Sequence, residues 1–84
     1  MFKIERVGDG SDIVFILIGR IETEDLPQIE SLLTAERASI VLDLMEVNLV
    51  SREVVSFLAC WENRGAVLKN CPAYIREWIA RGQS

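Results

Sequence analysis

The sequence contains no histidine, the residue that most often transfers protons at neutral pH and binds transition metals. It has only two cysteines, Cys60 and Cys71, which are too few for a disulfide framework and are not spaced as in a metal site. Free thiols are typical of a reducing compartment, so we expect a cytoplasmic protein. From these absences we also expect no metal ion and no cofactor.

Basic residues are not in excess either. The chain has 13 acidic and 9 basic residues, and its formal net charge is −4. An acidic domain without a basic cluster is poorly suited to nucleic acids and to anionic membranes. No apolar run approaches the roughly 20 residues of a transmembrane helix, and the N-terminal residues lack the apolar core of a signal peptide. We therefore expect no nucleic-acid partner and no membrane insertion.

Two strand patterns open the chain. Apolar Phe2 and Ile4 alternate with charged Lys3 and Glu5, so residues 2–7 are predicted as a strand with one face in water. Residues 8–12, GDGSD, are rich in turn formers, and residues 13–18 are six consecutive apolar residues. A strand without a polar side must be covered on both faces. We predict an antiparallel hairpin with the first strand at the sheet edge, the second strand ending before Gly19.

The middle of the chain combines helical and strand patterns. Asp25 followed by Gln28 fits a capping box at the start of a first helix. Residues 40–44 are apolar except for Asp43 and predict a buried strand, and residues 45–50 are predicted as a loop. The first helix has an apolar stripe that consists of Leu26, Ile29, Leu32 and Leu33.

The second half of the chain continues this alternation. Ser51 is the predicted N-cap of a second helix, and Gly65 suits the left-handed position after its end. Residues 66–69 predict a short parallel strand, and Pro72 fits the first turn of a last helix. The apolar face of the second helix consists of Val54, Phe57, Leu58 and Trp61. The predicted fold is a single α/β domain, residues 1–84: β-β-α-β-α-β-α, with a four-stranded mixed sheet in the order 1-2-3-4 and helices packed on it.

Hydrophobic residues make up 50% of the 84 residues, which is high for so small a domain. A chain of this length buries only about 60% of its unfolded surface, so apolar surface is left over for a partner or a second copy. We expect a two-fold homodimer. The candidate contacts are the sheet face that the first two helices leave open and the aromatic residues Tyr74 and Trp78. With Trp61, these aromatic residues also lie on apolar helical stripes, so core packing is the competing interpretation.

Few residues suggest chemistry. Asp43 lies near the carboxyl end of the predicted strand, where ligand crevices form in open α/β sheets. It either braces the following loop by accepting backbone N–H groups or contacts a ligand. Cys71 precedes a helix start, where the helix dipole can lower the pKa of a thiol, but most free cysteines are packing residues, and Cys60 is expected to be one. No second carboxylate, histidine or lysine stands at a spacing from Asp43 that would suggest a catalytic pair, so we do not expect an enzyme.

The stretch VLDLMEVNLVSREVVSFL, residues 41–58, resembles the STAS domain, the family of bacterial anti-sigma-factor antagonists. GDGSD followed by IVFILIGRI is similar to the opening hairpin of that family. The family's central strand ends in Asp-Leu, as at Asp43 and Leu44, and a short loop and Asp-Ser-Ser/Ala-Gly at a helix start follow. Here Ser51 stands in place of the family's Asp and Arg52 in place of its phosphorylatable Ser. Val54 stands in place of the Gly.

The resemblance implies a non-catalytic module that docks onto a protein partner, an anti-sigma-factor-like or other bacterial regulator. Docking would use the loop and helix after the central strand, and Arg52 cannot accept the family's phosphate. The expected partner-binding residues are Glu46, Val47, Asn48, Leu49, Ser51, Arg52 and Glu53, with Val47 or Leu49 as an exposed apolar centre. The alternative is a small-ligand-binding subunit of a transport complex, with a nucleotide or lipid near Asp43, Asn48 and Ser51.

Overall fold

The computed structural model describes residues 2–82, and its centre is a four-stranded sheet in the order β1-β2-β3-β4. The strands are β1 (Phe2–Asp9), β2 (Asp12–Ile21), β3 (Ser39–Val50) and β4 (Val67–Lys69). β1 pairs with β2 in the antiparallel sense, whereas β2, β3 and β4 run parallel to one another. The predicted mixed α/β sheet with strand order 1-2-3-4 is therefore confirmed.

The hairpin is longer than predicted at both ends. Its turn is reduced to Gly10 and Ser11, with Gly10 in the left-handed region at φ 64°. The prediction that Gly19 ends the second strand is wrong, because β2 continues through Gly19 to Ile21. Gly19 has φ 94°, a backbone conformation that glycine adopts without steric cost inside an irregular strand. The extra residues of β2 give β3 a longer strand to pair with.

Three helices form one layer against the sheet: α1 (Leu26–Thr34), α2 (Arg52–Asn63) and α3 (Ala73–Gly82). α1 and α2 each connect neighbouring parallel strands, and right-handed crossovers place both on the same face. α3 lies beside α2, where Arg76 Nη1 donates to both carboxylate oxygens of Glu62 at 3.0 Å. Ile75 and Ile79 of α3 are buried in the same apolar cluster as the inward side chains of α1 and α2. The last helix therefore adds to the existing layer.

The helix ends follow local chemistry. Ser51 caps α2 as predicted, since its Oγ accepts the Val54 N–H at 3.3 Å, and Gly65 takes the predicted positive φ at 107°. Asp25 stands at the N-cap position of α1 as predicted, but its side chain does not cap that helix, so the predicted capping box with Gln28 is wrong. A 3-10 turn at Thr23–Asp25 precedes α1, and the Asp25 carboxylate accepts the Glu22 N–H at 2.9 Å in a capping box of that turn. In the predicted apolar stripe of α1, Ile29 and Leu33 are buried, Leu26 is half-buried and Leu32 is exposed. Only part of that stripe therefore faces the sheet.

The two faces of the sheet differ in what covers them, and the pairing register assigns residues to each. One row crosses the face under the helices and consists of Arg6, Phe15, Leu42 and Leu68; we call it the inner row. The next position in each strand gives a second row on the opposite face, which consists of Val7, Val14, Val41 and Val67; we call it the valine row. Phe15 and Leu42 are 1% and 0% exposed, whereas the four valines are half-buried or exposed. The core thus lies entirely between the inner face and the helices.

Candidate functional site

The segment predicted as a loop, residues 45–50, is the second half of β3, so that prediction is wrong. It pairs with residues 18–21 of β2, and the register slips by one residue at two places along this pairing. Each slip is a β-bulge, in which β3 has one residue more than β2. The first bulge turns Val47 inward, where it is only 7% exposed, so the prediction of an exposed Val47 is also wrong. The side chain of Leu49 lies outside the described part of the structure.

Exposed side chains nevertheless surround the end of β3. We call residues 45–53 the β3–α2 junction. Among the side chains described there, the exposed apolar one is Met45, which is 72% exposed. The predicted site residues that are exposed here are Glu46, Asn48, Arg52 and Glu53. The junction therefore has an apolar residue and charges of both signs on its surface, although Met45 takes the place predicted for Val47.

Ser51 is held by a small hydroxyl network. Besides accepting the Val54 N–H, its Oγ lies 3.2 Å from Oγ1 of Thr23, and Thr23 Oγ1 also donates to the Glu53 carboxylate at 3.2 Å. Thr23 follows β2, and the carboxyl ends of parallel strands meet at one edge of a sheet. The sequence analysis missed Thr23, and this edge rule is the signal that could have found it. The Ser51 hydroxyl is committed to holding the junction against the start of α1.

Arg52 occupies the first position of α2 and is exposed. Among the side chains that the structure describes, no carboxylate lies within 4 Å of its guanidinium, and no hydrogen bond holds its side chain. The start of a helix carries a partial positive charge, which disfavours a cation there. Arg52 is thus an unpaired charge at an unfavourable position.

Asp43 braces the sheet. Its Oδ1 accepts the backbone N–H of Met45 at 3.0 Å and the side-chain amide of Asn70 at 3.2 Å. Asp43 therefore stabilises the first bulge of β3 and the start of the connection that follows β4. Because β3 runs on to Val50, Asp43 does not lie at the strand's carboxyl end. Seven residues separate it from Ser51, and with the two bulges in this stretch the distance is roughly 20 Å. Asp43 and Ser51 therefore lie too far apart to contact one small ligand together, as the alternative prediction required.

The aromatic residues divide between core and surface. Trp61 is buried, and the Arg64 guanidinium stacks over its ring at 4.5 Å from the centroid. Tyr74 and Trp78 are exposed on α3. The Tyr74 hydroxyl donates to the backbone carbonyl of Asn48 at 3.0 Å, and the partial loss of water around the side chain raises the pKa of Tyr74 above its usual value. Tyr74 therefore ties α3 to the β3–α2 junction from the side.

The two cysteines differ in exposure, and only Cys60 departs from the predicted packing role. Cys60, predicted as a packing residue, is exposed, because its position on α2 faces away from the sheet. Cys71 is half-buried, its Sγ lies 3.6 Å from the Pro72 carbonyl, and burial raises the pKa of its thiol. A nucleophilic cysteine needs a lowered pKa, so the environment of Cys71 works against the reactive interpretation.

Two depressions adjoin the junction. One, of about 370 Å³, lies between the end of β2 and Ser51, with Arg20, Glu22 and Glu24 on its walls. The other is an open groove of about 730 Å³ between α2 and α3, with Arg52 at its edge and Trp78 on its side. Among the side chains described, which exclude that of Asp9, no three His, Cys, Asp or Glu come together as metal ligands would. The residues present can offer charge and hydrogen bonds to a partner.

Comparisons with known proteins support the fold alone. No protein-family model and no curated protein matches the chain. The chain is similar in structure to the crystal structure of a protein named Mglu, with a TM-score of 0.61 at 18% sequence identity. The match covers 82% of this chain and 19% of that chain, so the similarity concerns one small part of a larger protein. Among the helices described, none combines the length and hydrophobicity needed to span a bilayer.

Proposed function

We propose that this protein is a non-catalytic protein-interaction module of the STAS type, and that it docks onto its partner through the β3–α2 junction. The observation that carries the proposal is the unpaired Arg52 at the first position of α2. An exposed cation there costs the fold about 0.3–1 kcal/mol relative to an anion. An acidic group on a partner would offset that cost and would use Arg52 as its recognition point.

The surroundings of Arg52 support docking rather than catalysis. Met45 supplies exposed apolar surface, and Glu46 and Glu53 supply charge around it. An apolar patch with a charged rim is the composition of a small, reversible protein interface. The hydroxyl of Ser51 is already engaged with Thr23 and Val54, so it is poorly placed to serve as a nucleophile.

The STAS resemblance extends this proposal to a biological role. In the family, the position that Arg52 occupies here carries the phosphorylatable serine that switches docking off. With an arginine at this position, docking is expected to be constitutive or to be regulated by other means. The partner would be an anti-sigma-factor-like protein or another bacterial regulator in the cytoplasm.

The test is a matched pair of charge reversals, Arg52→Glu and Arg37→Glu. Both arginines are exposed and both changes alter the net charge by the same amount, but Arg37 lies in the connection between α1 and β3. Proteins captured from the source organism's lysate by the wild type and by Arg37→Glu, but not by Arg52→Glu, are the candidate partners. Binding of the purified partner should then weaken by about 2 kcal/mol, roughly 30-fold, in Arg52→Glu. Equal affinity of all three folded proteins would place the docking surface elsewhere.

A further inference from the structure

The outer face of the sheet carries an apolar row that spans all four strands. Val7, Val14, Val41 and Val67 are register partners across β1, β2, β3 and β4. Val7 is 46% and Val67 is 56% exposed, and the two central valines are half-buried by their neighbours in the sheet. All three described helices lie on the opposite face. A continuous apolar row of this kind marks a surface that another layer covers.

Charges of both signs lie beside this row, with acidic residues in excess. The next row on the outer face consists of Glu5, Ile16, Asp43 and Lys69. The row after it consists of Lys3, Ile18 and Glu46. Carboxylates and ammonium groups thus occur on both lateral halves of the face. A face built for a strongly acidic or basic partner would carry one sign of charge. A face with both signs on both halves can complement itself.

We propose that the outer face binds a second copy of this chain, sheet against sheet, about a two-fold axis parallel to the strands. Such an axis places β1 of one copy over β4 of the other, at the same height along the strands. Val7 then faces Val67 of the second copy, so the two valine rows pack on each other. In the neighbouring row Glu5 faces Lys69, which pairs opposite charges at both ends of the interface.

The size of the face predicts a weak, reversible dimer. Four strands at about 4.8 Å spacing, with their side chains, present a surface about 20 Å wide and about 25 Å long. Two such faces bury roughly 1,000 Å² in total, at the lower limit for a specific interface. We therefore expect a dissociation constant in the micromolar range. The proposal goes beyond docking at Arg52, because that residue lies at the end of the strands.

Sedimentation velocity of the full chain from 1 to 500 μM tests the proposal. The wild type should change from monomer to dimer over this range, and Val67→Lys should weaken the dimer at least tenfold. The matched control is Trp78→Ser, which removes exposed apolar surface from α3 and should leave the dimer unchanged. A monomeric wild type at 500 μM, or a Val67→Lys variant that dimerises as the wild type does, would overturn the proposal. Dissociation by Trp78→Ser but not by Val67→Lys would place the contact on α3 instead.

A pair of double variants tests the two-fold arrangement itself. Val7→Lys with Val67→Lys sets like charges against each other and should stay monomeric. Val7→Lys with Val67→Glu sets opposite charges against each other and should recover association that weakens with added salt. Both positions are exposed in the single chain, so thermal melts should show folded proteins. If only the single variant Val67→Lys folds, its loss of association is enough to decide whether the outer face forms the dimer. The variant Arg52→Glu should dimerise like the wild type.

Discussion

The two faces of the sheet are built from similar side chains and differ in what each leaves exposed. The inner row has Phe15 and Leu42 at its centre, both almost inaccessible to solvent beneath the helices. One residue away along the same strands, Val14 and Val41 are only half-buried. The same degree of hydrophobicity therefore stabilises the single chain on one face and leaves apolar surface exposed to solvent on the other. Composition alone does not distinguish these two uses.

The largest expected effect is on the free energy of unfolding of the single chain, and it tests how much each face of the sheet contributes to the fold. Leu42→Ala should reduce the free energy of unfolding by about 2–5 kcal/mol, because it leaves a cavity in the core. Val41→Ala, its neighbour on the outer face, should cost about 1 kcal/mol. Urea denaturation at 1 μM, where the chain is expected to be monomeric, measures both. Similar losses would mean that the two faces contribute equally to the fold.

A second prediction concerns the tie between the helix layer and the end of β3. Tyr74→Phe removes the hydrogen bond to the Asn48 carbonyl and should cost about 0.5–1 kcal/mol, since water can replace a partner that is exposed. The outer face is not altered, so the dimer affinity should stay the same. Thermal melts and sedimentation of the variant provide the two measurements. A change in dimer affinity with no change in stability would contradict the separation of the two faces.

A smaller gain in stability is expected at the end of the strands, which belongs to neither face. Arg52→Glu replaces a cation at the start of α2 with an anion and should raise the free energy of unfolding by about 0.3–1 kcal/mol. Added salt should reduce this gain. Denaturant titrations at low and high salt would show it, and a loss of stability would mean that Arg52 has a structural role.

The smallest effect is expected at the edge of the sheet, where Arg6 of β1 donates two hydrogen bonds to Glu36, the shorter being 2.7 Å. The hydrogen bond from Arg6 lowers the pKa of Glu36 below its usual value of about 4.5. The pair therefore stabilises the fold above that value, and its contribution is lost as the pH falls through the lowered pKa of the folded state. The difference in melting temperature between wild type and Glu36→Gln should shrink as the pH is lowered. A difference that grows on acidification would exclude this pair as its source.

Much of this fold could be predicted from the sequence, because its signals are local. The strand order follows from the run at residues 13–18 and from the alternation of strands and helices, and the cap at Ser51 follows from its position before a helical pattern. The length of β3 could not be predicted, since it depends on pairing with the far end of β2. The burial of Val47 depends on a bulge that the sequence does not mark. Thr23 reaches Ser51 only through tertiary structure.

The two bulges have a consequence for how this segment can change in length. Along β3, the side chains of Leu42 and Leu44 point inward, and the next inward side chain is that of Val47, three residues later rather than two. The second bulge adds another residue, so the alternation of inward and outward side chains returns to its original phase before Ser51. Because the extra residue of a bulge has no partner on β2, loss of that one residue would leave a regular ladder, with every following side chain on its present face. Loss of a residue from the regularly paired stretch at residues 40–43 would instead turn the side chains on one side of the deletion to the opposite face. Related chains should therefore lack one or both of the extra residues more often than a paired one.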